Sequence, residues 1–462
     1  MNAPFSRILR IGAGLSVLVA LLAFLVRSAG AQEPTATSSA PRRLSLGDAA
    51  RLAAQQTAGV QSARLLMTEA QARVIQRRAD LLPNVSGYVE GTSHTLNSAT
   101  FGFDLPSPPG QPPLLDPNGQ IIGPVKLLDV RGRASESLFD YAAIQRVRAA
   151  RVGVDAAGAG IAAAAQQAAT GAAAAYLRAL RAEAQLEARV ADSSLADELL
   201  GIARQQLSAG VGVALDVTRA QAQLAGIRAQ LIASRNDRER TLVDLRRALN
   251  LPVDAPLTLT DSLTQMPATE PVNEQAAVEQ ARRTRPDLKA LDEQARAAQQ
   301  QVAAIKAERL PSVNVFGDDG TIGKSTSHML ATYDVGLQVS VPIFEGFRRE
   351  GRVQEQEAAA HEVEVRRKDL DLQVEADIHS ALLDLASARE QVEAARERLR
   401  LAEQEVAQAR ERFRAGVAGN ADVITASLAL NSSRNLLIDA LTAYQGARVS
   451  LARAEGTVTD LR

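Results

Sequence analysis

The side chains able to do covalent or metal chemistry are few in these 462 residues. The histidines are His94, His328, His361 and His379, and no two lie within five positions of each other. That spacing gives no imidazole pair on one helix face of the kind that holds zinc. Cysteine is absent, which removes disulfides, thiol catalysis, cysteine-ligated zinc and a lipidated N-terminal cysteine. No Ser/His/Asp set and no phosphate-binding glycine loop stands out. The reading is therefore no enzyme, no cofactor and no metal. What the chain offers instead is charge, 52 basic against 53 acidic residues. That balance excludes a general nucleic-acid binder, which carries a basic excess. Charge falls at informative spacing in three places. Asp129, Arg131 and Arg133 share one face of an alternating segment. Asp216 and Asp422 follow two glycine turns, with Thr425 three residues after the second. Arg285-Pro286-Asp287 opens a helical stretch, where Pro and an acid in a first turn read as structure rather than ligand binding.

The elements that carry these residues begin after a targeting signal. Arg7 and Arg10 precede an uncharged apolar run from Ile11 to Val26, and Ala29-Gly30-Ala31 supplies small residues. This is the pattern of a secretory signal over residues 1–31, cut after Ala31. The rival is an uncleaved anchor, for which an apolar core of about 16 residues is short. Residues 1–31 hold three Arg and no acid, so cleavage takes the net charge from −1 to −4. No later stretch approaches the apolar length of a transmembrane helix.

The rest of the chain is one unit written twice. Ala209-Gly210-Val211 with Leu215-Asp216-Val217 recurs as Ala415-Gly416-Val417 with Ala421-Asp422-Val423, an offset of 206. Leu138-Phe139 recurs as Ile343-Phe344 at 205, and Leu82-Pro83 as Leu310-Pro311 at 228. The first copy therefore carries an insertion, and its Pro/Gly-rich stretch Leu105 to Pro124 reads as a long exposed loop. The expected layout is a first repeat over 32–248, a linker over 249–272 and a second repeat over 273–462. Each repeat reads as a helix, strands (about 84–94 and 126–138, then about 312–320 and 333–342) and a long helical hairpin, with tips near 210 and 416.

The hairpins declare their packing. Ile378, Leu385, Val392, Leu399, Val406 and Phe413 recur every seven residues. Ala381, Ala388, Ala395, Ala402 and Ala409 sit three positions after the first five. Beyond the turn, Val423, Leu430, Leu437, Tyr444 and Leu451 repeat likewise, with Ala426, Ser433, Ala440, Ala447 and Ala454 beside them. This is a coiled-coil seam of alternating large and small knobs. Copy one is less regular: Ser193 and Arg238 intrude among Leu186, Leu200, Leu207, Val217, Leu224, Leu231 and Leu245. A helix from near Gly346 to Arg414 spans about 100 Å at 1.5 Å per residue, longer than the core of one soluble domain.

The strands alternate. Val335, Leu337, Val339 and Val341 share one face, and Asp334, Gln338 and Ser340 the other. Such faces suit a half-buried soluble sheet or a membrane barrel with a wet lumen. Four strands cannot sit in lipid with open edges, so the membrane reading requires oligomers. Three chains would give twelve strands. The aromatic girdle is sparse: Tyr88, Phe101, Phe103, Phe139, Tyr141, Phe316, Tyr333, Phe344 and Phe347.

Across nearly the whole chain after residue 31 the sequence resembles the outer-membrane efflux protein family, the TolC-type channel tunnels. The carrying residues are Leu46-Gly47-Asp48-Ala49, the two glycine turns already quoted, Ala248-Leu249-Asn250-Leu251-Pro252 and Arg285-Pro286-Asp287-Leu288. The resemblance implies a mixed, mostly α fold. It implies a homotrimer with a 12-stranded outer-membrane β-barrel, four strands per chain, continued by a periplasmic coiled-coil α-barrel. It implies a passive exit duct in efflux or type I secretion, partnered by a periplasmic adaptor and an inner-membrane transporter. The tips, with Leu207, Gly210, Val211, Phe413, Gly416 and Val417, would dock the adaptor, although both glycines also suit a bare helix stop. Asp216, Asp422 and Thr425 would ring the periplasmic aperture, or the two acids would cap the returning helices. Asp129, Arg131 and Arg133 would face the lumen, by default as a solvated face. The alternative function is a soluble periplasmic coiled-coil adaptor or scaffold.

Overall fold

The computed structural model describes residues 42–101, 110, 119–263 and 273–461. The expected signal segment, with its cleavage after Ala31, lies outside these residues, as does most of the Leu105–Pro124 stretch. Arg43–Arg462 form one unit by internal contact.

In chain order the elements are β1 (Arg42–Leu44), α1 (Leu46–Gln56), α2 (Ala58–Ala79), β2 (Asn84–Asn97), β3 (Ile121–Asp140), α3 (Tyr141–Ser208) and α4 (Ala214–Ala248). After them come β4 (Leu257–Leu259), α5 (Glu274–Thr284), α6 (Pro286–Ala307), β5 (Ser312–Gly323), β6 (Met329–Ser340), α7 (Arg348–Arg414) and α8 (Asn420–Glu455). Each repeat thus delivers two strands and a hairpin with one long arm. The long arms have 68 and 67 residues, or about 100 Å each at 1.5 Å per residue.

The seam predicted from the heptads is the packed interface of the second hairpin. Ile378, Leu385, Val392, Val406 and Phe413 on α7 are buried, as are Ala381, Ala388, Ala395 and Ala402. On α8, Val423, Leu430, Tyr444 and Leu451 are buried with Ala426, Ser433, Ala440, Ala447 and Ala454. In the first hairpin Leu200, Leu224 and Leu245 are buried, but Leu207 is exposed. The two hairpins also meet, with α3 lying against α8.

Midway along the chain of helices, short elements tie the repeats together. Ser45 and Asp48 form a capping box that starts α1, the Ser45 hydroxyl accepting from Asp48 N–H at 3.2 Å. The buried Tyr176 hydroxyl donates to Leu44 O at 3.0 Å and accepts from Asp261 N–H at 3.3 Å. Asp261 in turn accepts from Leu46 N–H at 2.7 Å. One phenol therefore fixes the β1–β4 pair to the middle of α3. Gly47 belongs here by necessity, since a Cβ at that position would lie 2.1 Å from Leu461 O.

The four long strands form one antiparallel sheet in the order β2-β3-β5-β6. Its register places Val89 opposite Val130, Val130 opposite Thr321, and Gly317 opposite Val335. β3 starts at Ile121, five residues before the expected 126. Gly123-Pro124 looked like loop, but these residues occupy a register shift between His94 and Leu96 of β2. An unpaired bulge position is where a strand accommodates a proline. β6 ends at Ser340, two residues before the expected 342, because Pro342 follows and cannot donate a ladder bond.

Candidate functional site

Each hairpin tip is built by the same local rule. Leu207 and Phe413 lie one residue before the ends of their helices, and the turn closes through a glycine in the left-handed region, Gly210 at φ +77° and Gly416 at φ +71°. Val211 N–H reaches Gln206 O and Gly210 N–H reaches Leu207 O, at 3.0 and 3.1 Å. Val417 and Gly416 repeat both bonds to Arg412 O and Phe413 O. This double closure satisfies carbonyls that would otherwise be orphaned. Val211 and Val417 project into solvent at 78% and 72% exposure, with Leu207 partly exposed behind them.

Phe413 does not belong with that exposed group. It is 2% exposed and packs with Val423, Leu199, Leu200, Ala203, Ala220 and Leu224. It anchors the tip from within, as its heptad position requires, and offers no surface for docking. The two acids also differ from the capping expectation. The N-caps of α4 and α8 are Val213 and Gly419, and neither helix has a side-chain cap bond. Asp216 and Asp422 lie in the first turns, where a carboxylate still favours the positive end of the helix dipole. Asp216 pairs with Arg219 at 3.8 Å. Asp422 is exposed, and Thr425 turns its hydroxyl back to Ala421 O at 3.0 Å.

Links between the hairpins were not foreseen. Gln206 Nε2 donates to Phe413 O at 2.6 Å, and Asn420 Nδ2 donates to Asp216 O at 2.8 Å. Asn420 is fully buried, and its Oδ1 has no hydrogen-bond partner. Glu198 receives Arg410 at 2.8 Å and Arg414 at 2.6 Å. Further from the tips, Asp192 of α3 is buried against α8. It accepts from Arg434 at 2.7 Å and Asn431 at 2.6 Å, with Arg189 at 3.4 Å. Burial pushes the Asp192 carboxyl above the usual range, against the pull of Arg434, Arg189 and Asn431. Neither Ser193 nor Arg238, the polar residues that interrupt the first-copy heptads, belongs to this cluster; Arg238 pairs with Glu183 and Glu239. The partners on α8 lie some 240 positions away and gave no local sign.

On the sheet, register sorts the faces. Val85, Val89, Val130, Val335, Leu337 and Val339 share one face. All of them are exposed, and Lys126, Glu136 and Asp319 interrupt their face. Asp129, Arg131 and Arg133 lie on the other face with Asp318 and Thr332. A solvated face was the default expectation here, but these charges pair with one another. Arg131 is 14% exposed and bonds Asp129 at 3.0 Å, Asp318, and Thr332 at 3.3 Å. Arg133 shares Asp318 at 3.5 Å. Asp318 comes from the second repeat, and its side chain is 4% exposed. The cluster therefore sets two acids, Asp129 and Asp318, against two guanidinium groups, Arg131 and Arg133. Among the described residues both edges of the sheet, along β2 and β6, are unpaired.

Among the described residues no helix is long and apolar enough to cross a membrane, which says nothing of a strand barrel. Among them, too, no cluster of three or more histidines and acids could hold a metal ion.

Known proteins give this arrangement a context. In sequence the chain is 27% identical over 285 residues to the alkaline protease secretion protein AprF of Pseudomonas aeruginosa, covering 58% of each. The chain thus matches little more than half the length of that relative. In structure it is similar to the outer membrane protein VceC of Vibrio cholerae (TM-score 0.69, 19% identity, 89% of this chain and 96% of that one). It is also similar to the Campylobacter jejuni CmeC outer membrane channel (TM-score 0.72, 17% identity, 89% and 85%). At those identities the likeness establishes the fold. The family description "Outer membrane efflux protein" matches residues 49–251 and 277–457, one segment in each repeat. By that match the chain belongs to the outer membrane efflux protein family.

Proposed function

We propose that three copies of this chain close a 12-stranded barrel in the outer membrane and form a passive exit duct, used in efflux or type I secretion. The observation that carries this reading is the four-stranded sheet with a valine-rich exposed face and two open edges. An open edge in lipid leaves amides unsatisfied at several kcal/mol each. Four strands fall below the smallest usual barrel of eight, and β6 of one copy meeting β2 of the next removes every edge. A soluble adaptor would leave the same valine face in water, where large apolar patches are unfavourable. The long helices then continue the barrel into the periplasm.

In this reading the exposed Val211, Val417 and Leu207, held by the Gly210 and Gly416 turns, meet a periplasmic adaptor. Asp422 and Thr425, with the more covered Asp216, line the aperture. The Asp129-Arg131-Arg133-Asp318 cluster faces the lumen as a largely neutralised patch. An inner-membrane transporter supplies the energy. The secretion role in the name of AprF supports exported proteins as one class of cargo, beside small molecules. The test is reconstitution into planar bilayers. Discrete conductance steps from the purified oligomer are expected, and a protein that inserts without conducting overturns the duct.

A further inference from the structure

The two repeats place the same charges where strands give way to helices. α2 and α6 end at Ala79 and Ala307, an offset of 228, and the residues after them, Asp80 and Glu308, are both acids. α3 and α7 end at Ser208 and Arg414, an offset of 206, so Arg146 of α3 matches Arg352 of α7. Arg146 stands between the two acids. It lies 4.0 Å from Asp80 in its own repeat and 3.8 Å from Glu308 in the other, across the β3–β5 pair. Arg352 meets the acid of its own repeat, Glu308, at 2.8 and 3.2 Å. Among the described residues no second acid reaches it. The result is a line of alternating charge, Asp80-Arg146-Glu308-Arg352. Its inner side chains, Arg146 and Glu308, are 27% and 22% exposed, while the two at its ends, Asp80 and Arg352, are each 45% exposed.

We propose that this line closes between copies. Arg352 of one copy reaches Asp80 of the next, and three chains share one continuous belt of alternating acid and guanidinium at the foot of the barrel, a closure that rests on the trimeric reading above. Two observations select a second copy of this chain as the occupant. The first is continuity of charge. α3 packs against α2 of its own repeat and α6 of the other. When β6 meets β2 of the next copy as β3 meets β5 within the chain, α7 approaches that copy's α2 as α3 approaches α6. The acid and the guanidinium left at the two ends are then set as Glu308 and Arg146 are. The second observation is apolar. Ala159 of α3 and Glu293 of α6 line one cleft. Their counterparts at the same offsets are Val365 and Leu65, which are 53% and 70% exposed in the single chain. The step that joins Arg352 to Asp80 also lays Val365 against Leu65 of the next copy, and both leave water. The contact does more than hold copies together. Asp80 precedes Asn84, the first residue of β2, by four positions. A one-residue slip of β6 along β2 would turn the valine face inward, and an ion pair set just before β2 holds the strands in register.

The chain contains no cysteine, so introduced thiols are the only ones present. Asp80→Cys and Arg352→Cys are combined in one chain, and the detergent-extracted protein is treated with a short bismaleimide whose reach matches an arginine–carboxylate pair. The two single variants, and Asp80→Cys combined with Val417→Cys at the hairpin tip, serve as controls. Gel filtration in detergent reads the oligomer independently. If the double variant does not assemble, Leu65→Cys with Val365→Cys reads the same contact and leaves every charge in place. The expected result is a shift on denaturing gels to two and three times the mass of one chain, from the paired variant and from none of the controls. A trimer in gel filtration whose chains are not joined overturns the belt and leaves the barrel standing. A wild-type chain that runs as a monomer overturns the barrel and the belt with it.

Discussion

Replacing Phe413 with alanine should open the periplasmic end of the duct. The ring is 2% exposed among Leu199, Leu200, Ala203, Ala220, Leu224 and Val423, side chains drawn from both hairpins. Truncation of a buried Phe costs about 3–5 kcal/mol. The other ties at the tip are weaker. Gln206 to Phe413 O and Asn420 to Asp216 O are neutral hydrogen bonds, each contributing about 1 kcal/mol. The Glu198 pairs with Arg410 and Arg414 are about a third or more exposed, which leaves them at roughly 0.2–1 kcal/mol. The apolar cluster therefore holds the larger share. Losing it shifts the balance between closed and parted hairpins by roughly a hundred- to several-thousand-fold, at about 1.4 kcal/mol per tenfold. Single-channel conductance in planar bilayers reads the effect, and entry of large antibiotics into intact cells reads it independently. Phe413→Ala should raise both well beyond Asn420→Ala. Unchanged conductance in an intact Phe413→Ala oligomer, or an equal effect from Asn420→Ala, would show that apolar packing is not the latch.

Three further outcomes follow from the same geometry. Asp192→Ala strips the acid from Arg434 and Arg189 in a buried site and should destabilise the helical region by about 3–5 kcal/mol, while the double change Asp192→Leu with Arg434→Leu should recover much of that loss in thermal unfolding. Tyr176→Phe deletes the bond to Leu44 O and should cost about 0.5–1.5 kcal/mol near neutral pH. Burial holds the Tyr176 phenol above its ordinary range, so the neutral form favours the fold. Its contribution is complete below about pH 10 and is lost as the pH rises beyond that, and above about pH 10 wild type should lose thermal stability more steeply than Tyr176→Phe. Gly416→Ala places a Cβ at φ +71° and should destabilise the tip by about 1–2 kcal/mol, with Gly416→Asn milder in the same unfolding assay.

Much of this architecture was legible because it rests on short-range rules. The seven-residue spacing of Ile378 to Phe413 and its alanine companions named the buried seam of α7 directly. The same spacing already placed Phe413 inside, and reading it as a docking residue set family analogy above its own periodicity. Gly210 and Gly416 marked the turns because few other residues accept that backbone. The start of β3 was hidden because Gly123-Pro124 reads as loop unless the bulge opposite β2 is known. Asp216 and Asp422 stand close enough to the helix starts to look like caps, yet Val213 and Gly419 hold those positions. The bonds of Gln206, Asn420, Asp192 and Asp318 join segments from roughly 190 to 240 residues apart. No local pattern encodes such pairs; they emerge only when the two repeats pack together.

In the proposed duct the open four-stranded sheet closes with two other copies in the outer membrane. The most direct test of that closure is the membrane fraction and the oligomeric mass of the detergent-extracted protein. An outer-membrane protein extracted as a trimer is the expected result. A soluble periplasmic monomer would contradict it, since the unpaired edges of β2 and β6 and the valine face would then need no partner.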